Sequence, residues 1–284
     1  MSKKTKAAGL SVLSNTLLII LKLTAGIISG SVSIISEAIH SFMDLLAAII
    51  AFISVRVSDR PADDRHPYGH WKIENISGVA EALLIFAAAI WIIFEAVHKL
   101  IKRTEIETIG LGFAVMCISA IANSGVSWYL YKVAKSTGSI ALEADALHLK
   151  TDIYTSLGVA AGLGLIWITG YHILDPIVAI LVSMLILKES YSLLMKAYKP
   201  LLDESLEIEE IKKIRTIIDS YCKENIKYHN LRTRKAGNFS YVDFHLNLDE
   251  NLTVKEAHEL CDRIEADLKQ YLVNSEVTIH VEDF

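Results

Sequence analysis

His40 and Asp44 stand four residues apart in an apolar stretch, and His148 and Asp152 repeat that spacing within EADALHLKTDIYTS. Residues at i and i+4 share one face of a helix, so two such helices in contact would gather two imidazoles and two carboxylates at one point. Two nitrogens and two oxygens suit a tetrahedral Zn²⁺ or a similar borderline ion. The competing reading is a pair of polar clusters that join helices by hydrogen bonds. An ionisable carboxylate in a span is costly and marks an ion path by default, and HxxxD occurs twice, so the ion path is favoured. Four protein ligands leave no position for an activated water, which favours holding and releasing an ion over hydrolysis. Zinc requires neutral imidazole and ionised carboxylate, so protons compete for the same atoms and proton-coupled exchange becomes available. Asp145, one turn before His148, is either a supporting partner or a residue at the mouth.

A second constellation, Asp63, His66 and His70, lies in DDRHPYGH with spacing close enough for one ion. Its alternative is a solvated polar loop. Lys72 and Glu74 just beyond read as membrane-edge ion pairs. A third group, His229, His245, His258 and His280 with Glu282 and Asp283, falls in the C-terminal part. Scattered surface histidines are common, and clustering is what would make these ligands. Eight of the ten histidines thus join a constellation. His98 and His172 fit none and sit at span ends. Cys117, Cys222 and Cys261 lack CxxC spacing and read as packing residues.

The elements that must position these groups follow from the distribution of apolar residues. A chain of 284 residues that is 52% hydrophobic belongs to the membrane class. Runs at 10–30, 32–55, 76–97, 109–131, about 141–169 and 173–195 each reach the length needed to cross a bilayer as a helix. The basic residues Lys3, Lys4, Lys6, Arg56, Arg60, Arg65, Lys72, Lys132 and Lys135 fall on one side of six alternating spans. The positive-inside rule makes that side cytoplasmic, against the smaller group Lys99, Lys102 and Arg103. Both termini are then cytoplasmic, in a multi-pass integral membrane protein of the cell membrane if the source is prokaryotic. Residues 1–199 form a transmembrane all-α six-helix bundle, and 200–284 a small cytoplasmic α+β domain.

In that second part, 205–224 carries isoleucines at helical spacing, and two strands flank Gly237 and Asn238. Thr253 with Glu256 forms a capping box for a helix to about 270, and SEVTIHVED closes as a strand. The order is αββαβ. Its acidic balance argues against nucleic acid as a partner and for cations.

With these motifs in place the chain resembles the cation diffusion facilitator family of zinc and related metal transporters. HSFMD and HLKTD look like that family's paired transport motifs, and DDRHPYGHWKIE like its first cytoplasmic loop. YHNLRTRKAG, DFHLNLD, EAHEL and TIHVED are similar to its metallochaperone-like cytoplasmic domain. The resemblance implies a homodimer associated through metal-binding tails, and alternating access driven by proton antiport. It makes His40, Asp44, His148 and Asp152 the transport site and Asp63, His66 and His70 a loop site. His229, His245, His258, His280 and Glu282 would line tail sites, with either Glu282 or Asp283 coordinating. Zn²⁺ is then both cargo and a structural or regulatory ion, with Cd²⁺, Co²⁺, Mn²⁺ or Fe²⁺ as other cargoes. His40 tilts the choice toward zinc, whereas KVAKSTGSI (132–140) stands where many zinc members carry a histidine-rich loop.

Two other classes were weighed. A membrane metalloprotease would need HExxH, and SEAIH (36–40) lacks its first histidine. A membrane-anchored metal sensor would leave the repeated HxxxD without a purpose.

Overall fold

In this computed structural model, residues 2–29, 32–102, 111–169, 173–223 and 225–283 are described. The chain divides into two compact units, Met1–Tyr198 and Lys199–Phe284. The first contains α1 (Lys3–Ser29), α2 (Val32–Ser58), α3 (Lys72–Lys102), α4 (Leu111–Thr137), α5 (Ile140–Thr169) and α6 (Leu174–Tyr198). Their outward faces are apolar and exposed: Leu13, Leu17 and Ile20 on α1, Trp91 and Phe94 on α3, Leu181 and Met184 on α6. Such surface is suited to lipid rather than water. The inward faces are rich in alanine, as where Ala7, Ala8, Val55, Leu130, Ala134, Ala141, Leu142 and Ala146 share one core. Small residues let helix backbones approach closely where hydrophobicity alone gives no drive to associate.

Among the described residues, three helices are long and apolar enough to cross a membrane, through Lys3–Ala25, Lys72–His98 and Pro176–Leu202. They belong to α1, α3 and α6. By contrast α5 carries Glu143, Asp145, Lys150 and Asp152 in its first half, and those charges dilute its apolar run.

Several helices extend past the expected spans, and at α1 and α4 a physical reason is visible at their ends. α1 begins at Lys3 rather than residue 10, because Lys4 turns inward. Its Nζ lies 2.7 Å from Asp59 and 2.7 Å from Glu74. Glu74, read from sequence as a membrane-edge residue, is 1% exposed and also accepts from the hydroxyls of Ser58 and Ser139. α4 continues to Thr137, where Lys132 and Lys135 fold back over the rings of Trp128 and Tyr131.

α3 packs tightly against its neighbours at Gly78. A Cβ there would lie 2.6 Å from Ile140 Cγ2 and 3.2 Å from Ala197 Cβ. Neither neighbour is a flexible chain end, so Gly78→Ala should destabilise the bundle by about 1–3 kcal/mol through overpacking. Unfolding of the purified protein in detergent checks this, and an unchanged midpoint would refute it.

The second unit opens with a 3₁₀ turn (Lys199–Leu202), followed by α7 (Ile208–Asp219), β1 (Ile226–Ala236), β2 (Phe239–Leu248), α8 (Val254–Tyr271) and β3 (Ser275–Asp283). The sheet order is β1-β2-β3, with β1 and β2 antiparallel and β2 and β3 parallel. The parallel pair requires a crossover, which α8 supplies. Ile214 and Ile218 of α7 and Leu260, Ile264 and Leu268 of α8 cover Val242, Phe244 and Leu246 of the sheet. Thr253 starts α8 with the expected capping box: its Oγ1 accepts from Glu256 N, and Glu256 Oε2 accepts from Thr253 N at 2.9 Å. Cys222 and Cys261 pack against this core, while Cys117 on α4 is exposed.

Candidate metal sites

Among the described residues, three groups of side chains come close enough to hold an ion. In the bundle, Asp44 of α2 and His148 and Asp152 of α5 offer ligand atoms within 4.8 Å of one another. Asp44 is buried, and its Oδ1 lies 3.2 Å from His148 Nε2. The one-turn spacing on α5 puts His148 and Asp152 on the same face. His40 precedes Asp44 by one turn on α2, but its side chain lies outside the described residues. So does His172 as a whole. The contact between His148 and Asp44 has a chemical meaning. An imidazole nitrogen and a carboxylate oxygen, both metal-ligand atom types, face each other there at hydrogen-bonding distance.

Between α2 and α3, Asp63, His66 and His70 form the second group, again within 4.8 Å. The loop is preshaped by its own backbone. Asp63 Oδ1 accepts from Arg65 N at 3.0 Å and from His66 N at 2.7 Å. Gly69 N donates to His66 O at 2.9 Å. Gly69 has φ 82°, and a Cβ there would lie 2.7 Å from Trp71 Nε1, so the turn that presents His70 requires glycine. His70 Nε2 sits 3.4 Å from Asp63 Oδ2, and the two imidazole rings are 4.4 Å apart. The hydrogen bond from the His66 amide holds the Asp63 carboxyl below the usual carboxylate range. Asp63 therefore stays ionised further into acid than an ordinary carboxylate.

In the second unit, sheet register builds the third group. His229 pairs with His245 across β1 and β2, and His245 with His280 across β2 and β3, giving a row of three imidazoles. Ring centroids along the row are 5.0 Å and 4.9 Å apart. A bulge just after His229, with Asn230 at φ 52°, bends β1 beside it. Glu282, two residues beyond His280 on β3, reaches back to His245 Nδ1 at 2.8 Å, His229 Nε2 at 3.3 Å and His280 Nε2 at 3.6 Å. His229, His245 and Glu282 have ligand atoms within 4.8 Å of one another. The Glu282 carboxylate takes this position; the Asp283 carbonyl accepts from Asn247 Nδ2 at 2.9 Å. His258 is exposed on α8, with its Nε2 3.7 Å from Asp262.

Comparison with known proteins decides the family. Residues 9–202 match the cation efflux transmembrane domain, and residues 206–284 match the cation efflux protein cytoplasmic domain. The chain belongs to the cation diffusion facilitator family. It is similar to an uncharacterised transporter of Synechocystis, 37% identical over 262 residues, covering 92% of this chain and 84% of the relative. The cation-efflux pump FieF of Citrobacter koseri is 30% identical over 276 residues, covering 97% of this chain and 91% of that protein. A solved structure titled as a putative zinc transporter, CzrB, shares 38% identity over 28% of this chain and 98% of its own, with a TM-score of 0.27.

Membership makes this chain an integral membrane cation efflux transporter, from a family of transporters rather than enzymes. The cytoplasmic-domain match accords with homodimerisation. Sequence reading passed over several buried groups of this family member. Glu74 was placed at the membrane edge, and Lys4 was counted only for its charge. Glu81 on α3 went unnoticed although it is 1% exposed. An ionisable residue inside an apolar helix was the signal available for it. Asn247, which lies 2.9 Å from His229 Nδ1, was also missed. His98 stacks on Phe94 at a centroid distance of 6.4 Å, which gives it a packing role.

Proposed function

We propose that this cation efflux transporter exports Zn²⁺ from the cytoplasm in exchange for protons. Six spans, α1 to α6, carry the ion path, with both termini cytoplasmic. His40, Asp44, His148 and Asp152 hold the ion in transit. The observation that carries the reading is the convergence of Asp44, His148 and Asp152 from two helices of the membrane unit within 4.8 Å. Imidazole nitrogen with carboxylate oxygen favours zinc over the harder divalent ions. Proton coupling follows from the shared atoms: a metal entering between His148 and Asp44 displaces whatever proton joins them, and its departure lets a proton return.

Asp63, His66 and His70 hold a second ion at the α2–α3 loop, and His229, His245, His280 and Glu282 a third on the cytoplasmic domain, with His258 a further donor on α8. These ions act in structure or regulation, and the cytoplasmic domain joins two copies into a homodimer. The narrow spacing of the His229, His245 and Glu282 ligand atoms supports the tail site.

The test is uptake into proteoliposomes of Zn²⁺, Cd²⁺, Co²⁺, Mn²⁺ and Fe²⁺, with lumenal pH followed at the same time. Saturable Zn²⁺ flux with opposite proton movement is expected. Preference for another of these ions would reassign the cargo within the family. Zn²⁺ flux without proton movement would refute the antiport. No flux of any ion, with metal still bound by the tail, would replace transport by sensing.

A further inference from the structure

Outside the cluster just described, α3 and α5 bury two more carboxylates. Glu81 is 1% exposed and Asp145 0%, and among the described residues none lies within hydrogen-bonding geometry of either carboxylate, although Asp145 is in electrostatic reach of His148. The two helices pack together, with Ala82 and Ala144, the chain neighbours of these acids, in one core cluster with Leu193 of α6. Alanine at the contact lets the backbones close in, which brings Glu81 and Asp145 within electrostatic reach of each other without a hydrogen bond between them. From α1, the fully buried Ser11 turns its hydroxyl toward Asp145, and that hydroxyl also lacks a hydrogen-bond partner. Asn15, one turn further on the same face of α1, is buried with Nδ2 unpartnered.

We infer that Glu81 and Asp145, with Ser11, form a second cation station in the bundle, an all-oxygen site for a divalent metal ion. Buried carboxylates without a partner are costly, and spans retain them where a cation passes. Protonation would remove the charge but leave Ser11 and most of the carboxyl oxygens unbonded. An ion between α3 and α5 satisfies them together. Oxygen-only donor sets suit hard ions such as Mn²⁺ and Mg²⁺, in contrast with the imidazole-containing set at His148. Asp145 precedes His148 by three residues, about 4.5 Å along α5, so the two stations lie in tandem and an ion arriving at one repels an ion in the other. Which station an ion meets first rests on the orientation proposed above; the existence of the site does not.

The experiment counts Mn²⁺ bound by the full-length protein in nanodiscs, using electron paramagnetic resonance of free Mn²⁺. Two proteins are compared, Asp152→Ala and Asp152→Ala combined with Glu81→Gln and Asp145→Asn, so that every other site cancels. The station predicts one Mn²⁺ fewer per chain in the combined variant. Equal counts overturn it, including the case in which only proton uptake differs and the pair is simply protonated. If the combined variant does not fold, Ser11→Ala in the Asp152→Ala protein decides. It should weaken the same Mn²⁺ by about tenfold, and an unchanged affinity overturns the proposal. Because Asp152→Ala removes a proposed transport ligand from both proteins, loss of Zn²⁺ flux bears on the transport reading and not on this count.

Discussion

Asp152→Ala should lower Zn²⁺ flux by about 100-fold or more while the protein still reaches the membrane, because loss of even a group supporting a ligand costs 10- to 100-fold in metal affinity. Asp44→Ala should do the same, since its carboxylate lies 3.2 Å from His148 and both acids belong to one cluster. The comparison with asparagine separates two effects. Asp152→Asn keeps the shape and one oxygen donor but removes the charge, so it should bind Zn²⁺ weakly and should not exchange it for a proton at that position. Flux measured in proteoliposomes, with reconstituted protein quantified, checks both variants. Wild-type flux in either alanine variant would remove the cluster from the transport path.

Lys4→Met should destabilise the membrane unit by about 3–5 kcal/mol, the range expected when one partner of a buried ion pair is lost and the other is left charged. The Lys4 side chain is 7% exposed and that of Glu74 1%, so water cannot replace the lost ammonium. Ser58 and Ser139 still donate to Glu74 but carry no charge. Adding Glu74→Gln should restore most of the loss, because a neutral amide keeps the hydrogen-bonding shape without the unpaired charge. Reversible unfolding in mixed micelles reads both variants. A Lys4→Met protein within about 0.5 kcal/mol of wild type, the range of an ordinary surface change, would show that the network contributes nothing.

Much of the architecture was legible in the sequence because it rests on period and punctuation. The αββαβ order of the tail followed from isoleucine spacing, the Gly237-Asn238 turn and the Thr253 capping box, all local signals. HxxxD in two places was also local, and it identified three residues that do converge, Asp44, His148 and Asp152. What escaped is whatever depends on which helix lies against which. Lys4 and Glu74 are 70 positions apart, and nothing in either neighbourhood signals that they meet. Glu81 and Asp145 belong to different helices whose neighbouring alanines share a core cluster with Leu193, and alanines are too common in spans to be read as contacts.

The two carboxylates of the α2–α5 cluster also determine how such a protein responds to voltage. Asp44 and Asp152 together carry two negative charges, and with neutral imidazoles a bound divalent ion makes the site electrically neutral. Moving one unit charge through the membrane potential involves about 2.3 kcal/mol per 100 mV, so the loaded step feels little of it. In the proposed exchange the return step would differ. Its charge would be set by the number of protons the cluster carries back: two would leave it neutral, and one would leave a single negative charge to cross the field. Under that proposal, the dependence of Zn²⁺ flux on an imposed potential would count the protons returned per ion.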